Sequence, residues 1–384
     1  MLPLVPPAAA LTTAELARYG RQVILPELGD IGQRRLKNAR VLVVGAGGLG
    51  SPTLLYLAAA GVGTLGIVDD DVVEVSNLQR QVIHGTSDVG RPKARSARDS
   101  IAELNPLVAV RVHESRLTSA NAVELFGDYD LIIDGSDNFA TRYLVNDAAV
   151  LAHKPYVWGS VLGFSGQVSV FWEDAPAGPA GECRAVNYRD LYPAPPLGPV
   201  PSCAEGGVLG LVCASVASIM GTEAVKVITG IGEPLLGRLM IYDALTMTYR
   251  TIAIRKDPQA APIAGLADDG QETAVAEAGG ITPHELHDLL AGGAPVVLVD
   301  VREPAEWEIN RIDGAVLIPA AALETDAGRA LIAAEGIPVL YCKTGVRSAA
   351  ARAALVRAGF SGARHLRGGI VAWARQFDAD MAMY

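Results

Sequence analysis

Runs of apolar residues and their spacing divide this chain before any other feature does. Arg40-Val41-Leu42-Val43-Val44 is short, apolar and rich in β-branched residues, the pattern of a strand buried on both faces. Ser51 to Ala60 follows at helical length, and Thr64 to Val68 gives a second strand. Strand, helix and strand in that order predict one unit of a doubly wound α/β sheet. Leu131-Ile132-Ile133-Asp134 and Pro155 to Val157 read as later strands of the same sheet, which Gln167 to Trp172 extends. A polar helix is expected over Thr12 to Tyr19, a long apolar one over Gly206 to Gly230, and a closing hairpin from Leu239 to Asp243 and Tyr249 to Ile254.

The periodicity then lapses. Lys256 to Gly280 is rich in Ala, Gly, Pro and acidic residues, which predicts a linker. A second pattern starts at Ile281: a helix (Pro283 to Leu290), strands at Val296 to Asp300 and Pro338 to Tyr341, a helix (Ser348 to Ala358) and a terminal helix near Trp373. The expected organisation is a first domain over residues 1–255, a linker over 256–280 and a smaller α/β domain over 281–384. A chain of 384 residues is longer than one hydrophobic core usually extends, which agrees with two domains.

Charge narrows the partners. The chain has 32 basic against 42 acidic residues, a net −10, which argues against nucleic acid and leaves a protein or small-molecule substrate. Met1 to Ala10 is apolar but holds three prolines and no cation, unlike a signal peptide. Elsewhere Gly, Pro or charge interrupts each apolar stretch short of the ~20 residues a membrane helix needs. A cytoplasmic protein that engages no membrane is expected. The four cysteines, Cys183, Cys203, Cys213 and Cys342, match neither a disulfide framework nor a C-x-x-C pair. Cys213 lies in an apolar helical stretch and reads as core, whereas Cys183 belongs to no motif.

Candidate chemistry starts between the first strand and helix. In Gly45-Ala46-Gly47-Gly48-Leu49-Gly50 the glycines at 45, 47 and 50 let the chain turn tightly and bring backbone N–H groups and a helix N-terminus against phosphate oxygens. Asp69, at the end of the next strand, is placed to accept hydrogen bonds from ribose hydroxyls. These features report an adenosine phosphate without choosing between NAD and ATP. Arg80 and Lys93 favour ATP, because attack of a carboxylate on a triphosphate brings anion against anion and needs fixed cations and a metal. Asp137 in Asp134-Gly135-Ser136-Asp137-Asn138 supplies a ligand for that metal.

The Arg18-Tyr19-Gly20-Arg21-Gln22 segment, the glycine loop, Asp69, Asn77-Leu78-Gln79-Arg80-Gln81, Gly90-Arg91-Pro92-Lys93 and the 135–138 run together resemble the E1-like adenylyltransferases, of MoeB/ThiF type, that activate ubiquitin-fold sulfur carriers. The resemblance covers about residues 15–255 and implies a Rossmann-like, doubly wound domain with a mixed sheet. It implies that Gly48, Asp69, Asn77, Arg80 and Lys93 bind ATP, that Asp137 holds Mg²⁺, and that Arg21 arrives from the partner subunit of a homodimer. The partner it implies is a carrier ending in Gly-Gly, whose terminal carboxylate attacks the α-phosphate. The segment Pro201-Ser202-Cys203-Ala204-Glu205-Gly206-Gly207 resembles the family's second-cysteine segment, proposed to attack the acyl-adenylate or resolve a disulfide. Many such enzymes hold a structural zinc with two C-x-x-C pairs. Here those positions fall near Asn187 to Asp190 and Asp257 to Ala260, so no structural zinc is expected, as in the fused form found in actinobacteria.

In the second domain Cys342 ends a strand and opens the loop Cys342-Lys343-Thr344-Gly345-Val346-Arg347, with a helix behind it. Backbone N–H groups curled around a sulfur can stabilise an anionic persulfide, and Lys343 and Arg347 add positive potential. Four residues separate Cys342 from Arg347, one fewer than in the C-x5-R loop of a cysteine phosphatase, and the smaller ring suits sulfur better than a tetrahedral phosphate. With Asp300-Val301-Arg302-Glu303-Pro304 and Asp313-Gly314-Ala315, the segment 281–384 resembles the rhodanese family; Asp300 and Arg302 are expected to shape the domain. Joined in one chain, the halves imply ATP-dependent adenylylation of a sulfur carrier followed by sulfur transfer from Cys342, loaded by a cysteine desulfurase or thiosulfate. The rivals are a nicotinamide-dependent oxidoreductase, which the glycine fingerprint alone fits, and a non-catalytic scaffold that binds a ubiquitin-like protein.

Overall fold

A computed structural model describes residues 2–177, 184–195, 206–267, 278–332 and 336–383, which fall into two compact units, one up to residue 267 and one from residue 278. The first is built on strands β1 (Arg40–Val44), β2 (Thr64–Val68), β3 (Ala109–His113), β4 (Leu131–Asp134), β5 (Tyr156–Leu162), β6 (Ser165–Phe171), β7 (Arg238–Asp243) and β8 (Thr248–Ala253). They form one sheet in the order β3-β2-β1-β4-β5-β6-β7-β8. The members from β3 to β5 pair in parallel and those from β5 to β8 antiparallel, so the sheet is mixed.

Val41, Leu42 and Val43 are fully buried, as a central parallel strand covered on both faces requires. The sheet order turns back on itself at β1, which pairs with β2 on one side and β4 on the other. Beyond the carboxyl ends of strands at such a switch point lies the crevice where doubly wound folds bind ligands. The loops that follow Val44, Val68 and Asp134 meet there.

The long apolar helix begins at Gly210, not Gly206, and runs to Thr229. Gly207 has φ +72°, and Val208 forms a bridge with Gly163, so the chain is not helical at these two residues. By length and composition this helix could cross a membrane, contrary to the expectation from its interruptions. It packs instead on the helix Gly50–Ala60 and on β5 and β6, and buries Glu223, whose carboxylate accepts from Lys226 Nζ at 2.7 Å and Leu235 N at 2.6 Å. Against the expected start of the first helix at Thr12, that residue is its cap: Thr12 and Glu15 hydrogen-bond each other's backbone N–H ahead of Thr13–Val23.

The second unit holds β9 (Gly280–Ile281), β10 (Val296–Asp300), β11 (Val316–Leu317), β12 (Ile337–Tyr341) and β13 (Arg364–Leu366) in an all-parallel sheet ordered β11-β10-β12-β13-β9. Cys342 follows the central strand β12 and precedes the helix Val346–Arg357.

The two segments where the resemblance would put thiolate pairs are joined by other means. Asp190 accepts the N–H groups of Asn187 at 2.8 Å and Asp257 at 3.0 Å, and Lys256 Nζ lies 3.4 Å from it. Lys256 also reaches Glu173 at 2.6 Å, and Asn187 Nδ2 donates to the same carboxylate at 2.7 Å. The Asp190 side chain is 1% exposed, so removing it strands two N–H groups and takes one of two carboxylates from the Lys256 ammonium. Asp190→Ala should lower the unfolding free energy by about 2 kcal/mol in urea titrations. Treatment of the wild type with a strong chelator should leave its thermal midpoint unchanged.

Candidate functional site

The glycine loop is shaped by contacts too close for any side chain. Gly45 has φ +87°, in the left-handed region, and a Cβ on Gly50 would lie 1.8 Å from the Gly45 carbonyl oxygen. Gly50 therefore closes the turn and does not line the cavity. A Cβ on Gly48 would meet Cys213 Sγ at 3.1 Å, so this glycine lets the loop lie flat against the long apolar helix.

The loop borders a cavity of about 310 Å³ at the switch point, whose walls include Gly45, Gly47, Gly48, Asp69, Arg80, Lys93 and Asp137. Seven sites expected from widely separated motifs thus converge. Asp69 Oδ2 accepts from Ala46 N at 2.7 Å and Oδ1 from Asp71 N at 2.9 Å. Burial raises its pKa, and the Lys93 ammonium partly offsets this. Lys93, itself 6% exposed, opens the helix Lys93–Leu104 and places Nζ 2.8 Å from Asp71. Arg80 donates to Ser76 O at 3.1 Å. Asp137 is exposed at the cavity wall, where an unburied carboxylate suits a hard, oxygen-preferring cation.

Besides Gly50, two expected residues lie outside the cavity wall. Asn77 Oδ1 accepts from Glu74 N at 3.3 Å and caps a short turn before Arg80. Arg21 sits exposed in the last turn of the first helix. Cys203 and Cys183 fall outside the described residues. Cys213 is 1% exposed and belongs to the core, as its pattern predicts, yet its sulfur also borders the cavity.

Other residues that the sequence did not single out hold the loops in place. His84 is 6% exposed, with Nε2 3.1 Å from Ala46 O and Nδ1 2.8 Å from Ser96 Oγ. Burial lowers its pKa, and Nε2–H donates to the Ala46 carbonyl. Ala46 is thereby tied on both sides, its N–H to Asp69 and its carbonyl to His84. Asp134 is fully buried under the neighbouring loop and accepts from Ser136 N at 3.0 Å. Arg142, buried over the Phe139 and Trp158 rings, reaches Ser136 O at 3.4 Å. The position of His84 after the Asn77 to Gln81 run was the one signal available; its partner Ala46 is too far along the chain to be inferred.

In the second unit Cys342 is fully buried, and Sγ accepts from Gly345 N at 3.1 Å and Ser348 N at 3.5 Å. Gly345 has φ +99° and caps the helix behind the loop. The helix Gly369–Phe377 presses on the loop from outside, with Ile370 N donating to Cys342 O at 2.8 Å and Val371 N to Lys343 O at 3.2 Å. Lys343 is half-buried, and Thr344 and Val346 are exposed. Arg347 departs from its expected role. It is buried, and its Nη1 and Nη2 each donate to a Glu306 carboxylate oxygen at 2.7 Å, so its charge is balanced and adds little positive potential to the loop. Asp300 and Arg302 are fully buried and paired with each other at 2.6 Å.

Comparison with known proteins follows the same division. The ThiF family matches residues 19–262, and the rhodanese-like domain matches residues 282–376. The probable adenylyltransferase/sulfurtransferase MoeZ of Mycobacterium tuberculosis is 65% identical over 391 residues, covering 100% of this chain and 98% of that protein. The sulfur carrier protein adenylyltransferase of Thermus thermophilus is 55% identical over 255 residues, 66% of this chain and 92% of its own length. A crystal structure of E. coli MccB with MccA-N7isoASN shares the fold, with a TM-score of 0.57 at 19% identity over 65% of this chain and 74% of that one.

Burial pushes the Asp134 carboxyl up to about 6, with Ser136 and Arg142 opposing the shift. Because the folded value lies above the unfolded ~3.9, its contribution to stability is complete below about pH 4 and is lost as the pH rises through about 6. The loss amounts to about 3 kcal/mol. Asp134→Asn, whose Oδ1 can still accept from Ser136, should remove it. Between pH 4 and pH 7 the wild type should lose about 3 kcal/mol relative to this variant in urea unfolding.

Proposed function

Because this chain belongs to the ThiF family and carries a rhodanese-like domain, we propose that it adenylylates the C-terminal glycine carboxylate of a ubiquitin-fold sulfur carrier and then converts it to a thiocarboxylate with sulfur from a Cys342 persulfide. The observation that carries this reading is the convergence of the glycine loop, Asp69, Arg80, Lys93 and Asp137 on one cavity. Such a cavity suits a triphosphate better than a dinucleotide, whose pyrophosphate needs little beyond backbone donors. The same cations disfavour the oxidoreductase reading, and the intact set disfavours a non-catalytic scaffold.

In the first step a carrier carboxylate oxygen attacks the α-phosphorus of ATP. The new P–O bond forms as the bond to the β-phosphate oxygen breaks, and pyrophosphate leaves. Loop N–H groups, Arg80 and Lys93 meet the charge that builds on the phosphoryl oxygens, while Asp69 orients the ribose. Gly45 and Gly47 keep that backbone close to the nucleotide, and Gly50 fixes the turn. Mg²⁺ held by Asp137 would supply further neutralisation of the phosphates. Asn77 supports Arg80 through the turn it caps, and Arg21 acts from the partner subunit of a homodimer.

In the second step the outer sulfur of the Cys342 persulfide attacks the acyl carbonyl and expels AMP, leaving an acyl disulfide. A second thiol, Cys203 on this reading, attacks the Cys342 sulfur and releases the thiocarboxylate. The resulting disulfide is reset by two electrons from an external thiol. Since Cys342 is buried in the resting loop, loading from a cysteine desulfurase or thiosulfate requires the loop to open. The acidic composition and the burial of the one membrane-length helix among the described residues support a cytoplasmic location.

The two steps separate experimentally. Incubation with a Gly-Gly carrier, ATP, Mg²⁺ and a sulfur donor should give a carrier heavier by the exchange of oxygen for sulfur, read by intact mass. Cys342→Ala should abolish that product yet retain carrier-dependent ATP–pyrophosphate exchange. Lys93→Ala should lower the exchange by about a hundredfold or more. Full thiocarboxylate output from Cys342→Ala would refute the persulfide role, and undiminished exchange in Lys93→Ala would refute the nucleotide site.

A further inference from the structure

The helix Pro304–Ile309 is short, yet it is anchored at both ends. At its start Glu303 N donates to Glu306 Oε2 at 3.0 Å. At its end Asn310 accepts from Arg302 twice, through Oδ1 at 2.8 Å and its backbone oxygen at 2.7 Å, and Arg302 is in turn clamped to Asp300 at 2.6 Å. Asp300, Arg302, Glu306 and Asn310 are all buried, so the Glu306 carboxylate is presented in a fixed place.

That carboxylate takes both terminal nitrogens of Arg347 at 2.7 Å, a bidentate, charge-assisted pair with side chains 9% and 6% exposed. Arg347 lies between Gly345 and Ser348, the two residues whose N–H groups approach the Cys342 sulfur. The pair therefore grips the first helical turn at the point that sets where those donors aim. Without the Glu306 carboxylate this bidentate grip is lost, and the turn that carries the two N–H donors loses a fixed point.

We propose that Glu306 is a positioning residue for sulfur transfer, holding Arg347 as the strut that fixes the Gly345 and Ser348 N–H groups on the Cys342 sulfur. This rests on the reading of Cys342 as the sulfur-carrying thiol. Its signature differs from that of a loosened domain. Loss of the Glu306 carboxylate leaves this part of the domain one negative charge poorer, so a dianionic donor binds as well as before or better while its sulfur is passed on more slowly. General loosening would weaken binding and turnover together.

The test uses the full chain with thiosulfate as donor and cyanide as acceptor, thiocyanate being the readout, for the wild type, E306Q, E306D, R347Q and E306Q/R347Q. E306Q should lower kcat by about tenfold or more, with KM for thiosulfate unchanged or lower. E306D, which keeps the charge, should fall between E306Q and the wild type. The double variant should turn over faster than either single one, because two neutral amides can pair where one buried charge cannot. Wild-type kcat in E306Q, a KM that rises as kcat falls, or a double variant no better than the singles would overturn the proposal. Thiocyanate formation by Cys342→Ala at the wild-type rate would instead remove the underlying reading of Cys342, whatever Glu306 does.

Discussion

A glycine-bearing turn in which a parallel strand gives way to a helix is the feature on which both halves of this chain depend. After β1 the turn is Gly45 to Leu49, leading into the helix Gly50–Ala60; after β12 it is Cys342 to Gly345, leading into Val346–Arg357. Each turn needs glycine at a left-handed position, Gly45 in one and Gly345 in the other, so that successive N–H groups point to one side. Each follows a central strand, which makes its position rigid. Anions, a phosphate in the first and a sulfur in the second, are what such turns can hold.

The turns diverge in how side-chain charge is added. Around the first, Lys93 and Arg80 border the cavity, and Ala46 is fixed by Asp69 on one side and His84 on the other, so that neither the loop nor its cations must rearrange when charge develops. Around the second, the nearby guanidinium is spent on Glu306, and the sulfur meets backbone donors. Strong cationic fixation suits a reaction in which anion attacks anion. Weaker, neutral donation suits a sulfur that has to be held and then given away.

The sequence carried the central strands almost to the residue. Arg40 to Val44 and Thr64 to Val68 are buried on both faces and so appear as uninterrupted apolar runs. Ala109 to His113 escaped notice because it is the sheet edge, half exposed, with Arg111 and His113 in it. That Gly45 and Asp69 border one cavity was legible because each directly follows a strand of the same sheet, and Arg80 and Lys93 reach it from the segment after the second of those strands. The pairing of Arg347 was not legible for the opposite reason: its partner Glu306 lies 41 residues away, and such a pair has no local signature. Asn77 reads as a ligand in a motif, and its contact with the Glu74 N–H in the same turn could not be told from that motif.

The central claim is that the oxygen activated by ATP is the one later replaced by sulfur. It can be followed with a carrier whose C-terminal carboxylate is labelled with ¹⁸O, turned over in unlabelled water with ATP and a sulfur donor, with AMP and the carrier product analysed by mass. The account predicts one ¹⁸O in each AMP formed and one retained in the thiocarboxylate. AMP free of label, formed while the carrier is thiolated, would contradict it.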